Sequence, residues 1–132
     1  MSLIKKQNGS FGIYNEEGLQ VEGSFTPNSN GLNPKELLEA SIGMCMTIVI
    51  QRMFERDGIE VENGEFSVDV TAVKAPDSPS RFEHFDVSVT LPDRLPDEYK
   101  NKIIVSAERG CTISNTVKRG ATVTTNLLKG NE

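Results

Sequence analysis

Two cysteines, Cys45 and Cys111, are the residues of this chain best equipped for covalent chemistry. A thiolate is a nucleophile, and once oxidised it can be captured by a second thiol as a disulfide, so the question is whether either sulfur is held as a thiolate and whether the two can meet. Their separation of 66 residues (111 − 45) fits no metal-ligand spacing, and in a reducing compartment they would not form a structural staple. Taken alone, Cys45 reads either as a small apolar core residue or as a nucleophile in need of a partner. Cys111 stands at or just before a short helix, where it is either a substitute for a Ser or Thr cap or a thiol tuned by exposed amides. His84 is the sole histidine, lies on a strand pattern and reads as structural or solvent-facing. No metal site or Ser-His-Asp arrangement assembles around it, and phosphate-binding glycine motifs are absent.

The elements that must position these sulfurs are legible in part. Asn33 is a good N-cap, Pro34 suits the first helical position and Glu36 falls where a capping-box acid belongs. From there Leu37, Leu38, Ser41, Ile42, Cys45, Ile48, Val49 and Met53 recur at helical spacing until Asp57-Gly58, a C-terminal stop. Between Ala40 and Ile50 the pattern is apolar on nearly every face, which predicts a central buried helix with Cys45 in its middle. Before it, residues 10–26 predict a strand hairpin around Asn15-Glu16-Glu17-Gly18, followed by a loop from Pro27 to Gly31. After it, Phe66, Val68, Val70 and Ala72, then Phe85, Val87, Val89 and Leu91, alternate with polar residues as two one-sided strands, joined by a loop over residues 75–80. A shorter helix from Tyr99 to Gly110, a short helix after Cys111 ending at Gly120, and a Thr-rich strand from Ala121 to Leu128 complete the order. This is an α+β arrangement in a single domain spanning residues 1–132.

Composition narrows the partners. A net charge of −5 with scattered Lys and Arg argues against nucleic acid or an anionic membrane surface. The apolar run from Ala40 to Ile50 is too short to span a bilayer and the first six residues lack the apolar core of a signal peptide, so the expected location is cytoplasmic. A hydrophobic share of 36% with no Trp and two Tyr is lean for a self-sufficient core, which points to a core shared with a partner subunit.

Asn-Pro-x-Glu-Leu-Leu-x-Ala-Ser-Ile-Gly-x-Cys, residues 33–45, resembles the central-helix signature of the OsmC/Ohr family of osmotically inducible proteins and organic hydroperoxide reductases. Arg-Gly-Cys-Thr-Ile-Ser-Asn-Thr, residues 109–116, resembles the segment that carries the family's second cysteine. The resemblance implies antiparallel sheets around a long central helix in an intertwined homodimer, with sites at the interface. It also implies an activity: a thiol-dependent peroxidase acting on organic hydroperoxides in oxidative stress defence, with no cofactor or metal. In that scheme Cys45 attacks the peroxide and Cys111 resolves the sulfenic acid to a disulfide, which a lipoyl-type dithiol or small thiol reduces.

The pattern departs from the family at three places. No arginine precedes Arg52, Lys35 follows Pro34 where the peroxidases carry Glu, and Thr112 stands where Pro is frequent. The expected site is therefore Cys45, Cys111 and Glu36 for the chemistry, with Arg52, Met44 and Ile48 toward the substrate; Lys35 is a further candidate cation. The rival reading keeps the fold but reduces the chemistry to thiol–disulfide exchange, or to binding of an apolar small molecule by a dimer without efficient peroxidase activity.

Overall fold

The central helix forms where its caps predict it. In the computed structural model, which describes residues 1–128, α1 runs over Pro34–Arg56. Asn33 Oδ1 accepts from Glu36 N at 2.8 Å and Glu36 Oε1 accepts from Asn33 N at 2.9 Å, the reciprocal capping box. At the other end Gly58 takes φ +67°, and Ile59 N–H and Gly58 N–H donate back to the carbonyls of Phe54 (2.9 Å) and Glu55 (3.3 Å), a Schellman closure that turns Ile59 onto the core.

Two antiparallel sheets accompany α1. The strands β1 (Leu3–Gln7), β2 (Ser10–Tyr14) and β3 (Gln20–Gly23) form a meander, and β4 (Ser67–Lys74) pairs with β5 (Phe82–Thr90) as a long hairpin. In the hairpin Val68 faces Val89, Val70 faces Val87 and Ala72 faces Phe85, so the apolar positions of both strands fall on the side turned to α1. The backbone approaches closely there: a Cβ on Gly43 would stand 3.3 Å from Val70 Cγ2. Glu39, on α1, fixes the register by accepting Ala72 N–H at 2.7 Å and Lys35 Nζ at 2.8 Å on one oxygen. Burial pushes the Glu39 carboxyl up, but these two donors outweigh it and hold the group below the usual carboxylate range.

The other flank of α1 is covered by α2 (Asp97–Gly110) and α3 (Thr112–Arg119). The core joins Ile42, Met46, Ile50, Met53 and Phe54 of α1 with Leu95, Ile103, Ala107 and Cys111. Phe66 meets Phe54 edge-on with ring centroids 5.5 Å apart. Tyr99 Oη donates to Asp57 Oδ2 at 2.6 Å, tying the start of α2 to the end of α1; burial, reinforced by that bond, pushes the phenol up to about 12.

Three expectations need correction. The strand β1 lay in residues read only for the absence of a signal peptide; the Asn8-Gly9 pair, both at positive φ, makes the two-residue turn that pairs Gln7 with Ser10. The predicted strand over 121–128 does not form: these residues carry no regular secondary structure and pair with no strand among the described residues, with Leu127 and Leu128 exposed. The helix α1 is covered on one side only: Met44 is 60% exposed and Ile48 40%. As a whole α1 has the length and apolar composition of a membrane span, and its packing against β4, α2 and α3 accounts for that composition as a core helix's.

Ile50 and the N-cap test this account. Ile50→Ala, at a fully buried position, is expected to cost about 2–5 kcal/mol in urea unfolding. Asn33→Ala, which opens the capping box, should cost about 1 kcal/mol.

Candidate functional site

The end of α2 and the start of α3 bring the two sulfurs together. At Gly110 the absence of a side chain lets α2 lie against α1; a Cβ there would stand 3.3 Å from Val49 Cγ1. The next residue, Cys111, leaves the helix at φ −80°, ψ 102° and caps α3, its own carbonyl receiving Asn115 N–H at 3.0 Å. Its sulfur is fully buried, accepts Ser114 N–H at 3.3 Å and lies 3.9 Å from the Ile42 carbonyl of α1. Thr112, in place of the frequent Pro, begins α3 without disturbing this geometry.

Cys45, half-buried and three residues after Ile42 on α1, lies near enough to the Cys111 sulfur to influence its charge, and both thiols are free. The electrostatics at Cys111 are a contest. Burial pushes its thiol up, whereas the Ser114 side chain, the Ser114 amide, the Cys45 thiol and the Ile113 amide all favour the thiolate; together they prevail and hold Cys111 below the usual thiol range. The source of stabilisation is the first turn of α3, where amides lack intrahelical acceptors.

A cavity of about 500 Å³ opens next to this corner. Ile42 and Met46 of α1, Phe85 and Val87 of β5 and Val117 of α3 give it an apolar wall, while Glu83, His84, Asp86, Glu108 and Lys118 ring it with polar groups. Ser114 also lines it, and the Ser114 hydroxyl is buried and completes no hydrogen bond with any group among the described residues. That hydroxyl lies near enough to the Cys111 sulfur to favour its charge.

The remaining expected site residues fall elsewhere. Glu36, expected to take part in the chemistry, is engaged in the capping box with Asn33. Arg52 shares the Cys45 side of α1 but is exposed and makes no ion pair among the described residues. Lys35 is occupied by Glu39. Met44 and Ile48 lie on the exposed side of α1, away from the cavity, whose helix wall is Ile42 and Met46 instead. His84 is solvent-facing, as expected, and bonds Asp86 at 2.9 Å on the cavity rim. Ser114 was not singled out from the sequence; its place in the first turn after a capping cysteine was the available signal. No cluster of His, Cys, Asp and Glu suited to a metal occurs among the described residues.

The profile of the family described as OsmC-like protein matches residues 26–126, from the end of the meander through both cysteines. The chain belongs to this family. Among solved structures, an OsmC-like protein of Mycoplasma pneumoniae superposes with a TM-score of 0.72 at 13% identity, covering 89% of this chain and 87% of the other. The organic hydroperoxide resistance protein OhrB of Bacillus subtilis gives 0.59 at 20% identity, covering 89% and 90%. An organic hydroperoxide resistance protein OsmC of Legionella pneumophila, also described as a predicted redox protein, gives 0.57 at 16% identity, covering 89% of each chain. These likenesses establish the OsmC-like fold. No curated protein sequence matches the chain significantly.

Two measurements follow from the corner geometry. In the reduced protein the thiolate absorbance near 240 nm should rise with a midpoint below the roughly 8.5 of a free thiol, and Cys45→Ser, which removes one donor to Cys111, should move that midpoint upward. Glu36→Ala should leave the rate of thiol oxidation unchanged while lowering helix stability, as loss of a capping side chain would and loss of a catalytic acid would not.

Proposed function

We propose that this OsmC-like protein reduces organic hydroperoxides through a disulfide cycle of Cys45 and Cys111. The observation that carries the reading is the adjacency of two reduced thiols, one favoured as thiolate, beside a cavity with an apolar wall. A nucleophilic sulfur, a second thiol to capture the oxidised product, and an apolar surface for an alkyl chain are the parts such a reaction requires. The two peroxide-resistance neighbours share the fold and support the class of reaction. An alkyl or lipid peroxide suits the cavity better than hydrogen peroxide, which gains nothing from apolar walls. The reductant is a dithiol of lipoyl type or a small thiol, reaching the disulfide from the half-exposed Cys45 side.

The working form is a homodimer. In the single chain the β1–β3 meander touches the rest of the fold chiefly through a crease against Pro34 and Leu37, leaving Ile4, Phe25 and Leu32 exposed, as are Met44 and Ile48 on α1. A second copy that lays its meander over the open side of α1 removes both surfaces from water. Light scattering should then give a mass twice 14.5 kDa.

Stopped-flow oxidation of the reduced protein tests the activity. Cumene hydroperoxide should oxidise it by at least about a hundredfold faster than a free thiol and faster than hydrogen peroxide does, yielding one Cys45–Cys111 disulfide that dihydrolipoamide reopens. Oxidation at the rate of an unassisted thiol would overturn the peroxidase reading; a disulfide that still exchanged with dithiols would then leave thiol–disulfide exchange as the activity of this fold.

A further inference from the structure

We propose that the open groove between α1 and α2 holds a carboxylate of the thiol reductant, so that the reagent reopening the disulfide is an anion. This rests on the disulfide cycle of Cys45 and Cys111 above and adds the place where the reductant sits and the charge it carries.

The two helices run antiparallel: Tyr99 bonds Asp57 at one end of the seam, and Gly110 packs against Val49 at the other. Along the outside of the seam a cavity of about 490 Å³ is lined by Met53 and Arg56 of α1 and by Lys102, Val105, Ser106 and Arg109 of α2. The four α2 residues stand at i, i+3, i+4 and i+7, one stripe of that helix, with an apolar side chain and a hydroxyl between two cations. Arg52, one turn before Arg56, adds a cation on the same side of α1. Arg56 is taken by Asp57, but Arg52, Lys102 and Arg109 make no ion pair among the described residues. The one carboxylate among the lining residues, Glu98, stands in the first turn of α2, eleven residues (109 − 98) and about 16 Å of helix from Arg109. Cations that look scattered along the sequence are thus gathered, and the groove is locally positive in a chain of net charge −5.

The groove ends near the sulfur that a reductant can reach. Cys45 is half-buried and Cys111 fully buried, so Cys45 is the one attacked from outside. Val49, one turn beyond Cys45, packs against Gly110, which Arg109 directly precedes; Arg52 is seven residues (52 − 45) from Cys45, about 10 Å along the helix. The cavity assigned to the peroxide uses the other flank: Glu108 lines that cavity and Arg109 the groove. A dithiol on a short alkyl chain that ends in a carboxylate therefore lays its chain over Val49 and its charge toward Arg52 and Arg109. One thiolate of the reductant attacks Cys45 Sγ, and the bond to Cys111 breaks with Cys111 leaving as the thiolate that its surroundings favour. The second thiolate of the reductant then attacks its own bound sulfur, expels Cys45 and departs as a cyclic disulfide. The two protons of the dithiol pass to the protein sulfurs or to solvent, and two electrons pass from reductant to protein.

Dihydrolipoate and dihydrolipoamide test the groove, because the two dithiols differ only in the charge of the tail. The disulfide is formed with diamide, so an inactive peroxidase leaves the measurement intact. At low salt dihydrolipoate should reduce it at least about threefold faster than dihydrolipoamide, the reverse of what a net charge of −5 does to an anion, and the ratio should fall toward one in about 0.5 M salt. Arg52→Gln with Arg109→Gln should bring the ratio below one, whereas Lys6→Gln with Lys74→Gln, which removes the same charge elsewhere, should leave it above one. A wild-type ratio at or below one, or a ratio that survives loss of Arg52 and Arg109, would overturn the proposal. So would a groove variant that keeps the ratio but slows oxidation by an acid hydroperoxide relative to its methyl ester, since the cations would then serve the peroxide. In the reduced protein octanoate should shift the NMR signals of the Asn101 and Ser106 amides and octanamide should not; equal shifts would remove the carboxylate site whatever the thiols do. Failure of diamide to join Cys45 to Cys111 would overturn the disulfide cycle itself, and the reductant's role with it.

Discussion

The close passage of Gly110 over Val49 is the contact on which the site depends. Any side chain at 110 would begin 3.3 Å from Val49 Cγ1, so α2 could end at this depth only if the valine gave way by a few tenths of an ångström. Because it ends there, Cys111 drops between α1 and the first turn of α3, its sulfur near the Ile42 carbonyl on one side and under the Ser114 amide on the other. The position of Cys45 follows from that of Ile42, one helical turn before it. The meeting of the two thiols is therefore a matter of backbone packing more than of side-chain reach, which is what a pair that must meet repeatedly requires.

The same packing decides which form of sulfur is stable. Burying a thiolate in apolar surroundings is unfavourable, and at Cys111 burial is the largest single influence, acting against charge. The Ser114 hydroxyl opposes it first, and the Ser114 and Ile113 amides join it at little cost, since amides at a helix start have no intrahelical partner and are already oriented by the helix. A guanidinium does this work with a full charge on a flexible stem, whereas amides do it with partial charges fixed in place. The absence of an arginine before Arg52 thus leaves the corner electrostatically competent, though on the sulfur at the helix start rather than the one in the helix body.

How far the sequence reveals this arrangement depends on how local each signal is. The caps of α1 are written in neighbouring residues, and Asn33, Pro34, Glu36 and Gly58 each do what their types suggest. The hairpin β4–β5 announces itself by strict alternation. By contrast β1 carries Lys5-Lys6 where an alternating pattern would put an apolar residue, and only Asn8-Gly9 marks it. The substrate side of α1 was not legible because the helix is apolar nearly all round: periodicity cannot say which flank the hairpin covers, so Met44 and Ile48 were as eligible as Ile42 and Met46. Glu36 could be read as a cap or as a site acid from its position, and only the reciprocal bond with Asn33 decides between them. Ser114 escaped because a serine in the first turn of a helix is ordinary until its hydroxyl proves to be buried and unpaired.

The apolar circumference of α1 also bears on the form in which the chain works. Fully burying a large apolar side chain is worth roughly 1.5–3 kcal/mol, and Ile4, Phe25, Met44 and Ile48 are 40–83% exposed, so leaving them in water forgoes roughly 4–7 kcal/mol. The net stability of a domain is itself only about 5–15 kcal/mol. Surfaces of that worth are coherent with a partner that covers them, and the proposed pairing of the meander with the open side of α1 joins two apolar surfaces that are deficient for the same reason. The cavity lies on the opposite, covered flank, between α1, β5 and α3. Pairing over the open side would add cover to the helix that carries Cys45 without displacing α2 and α3, the elements that hold Cys111 against its other flank.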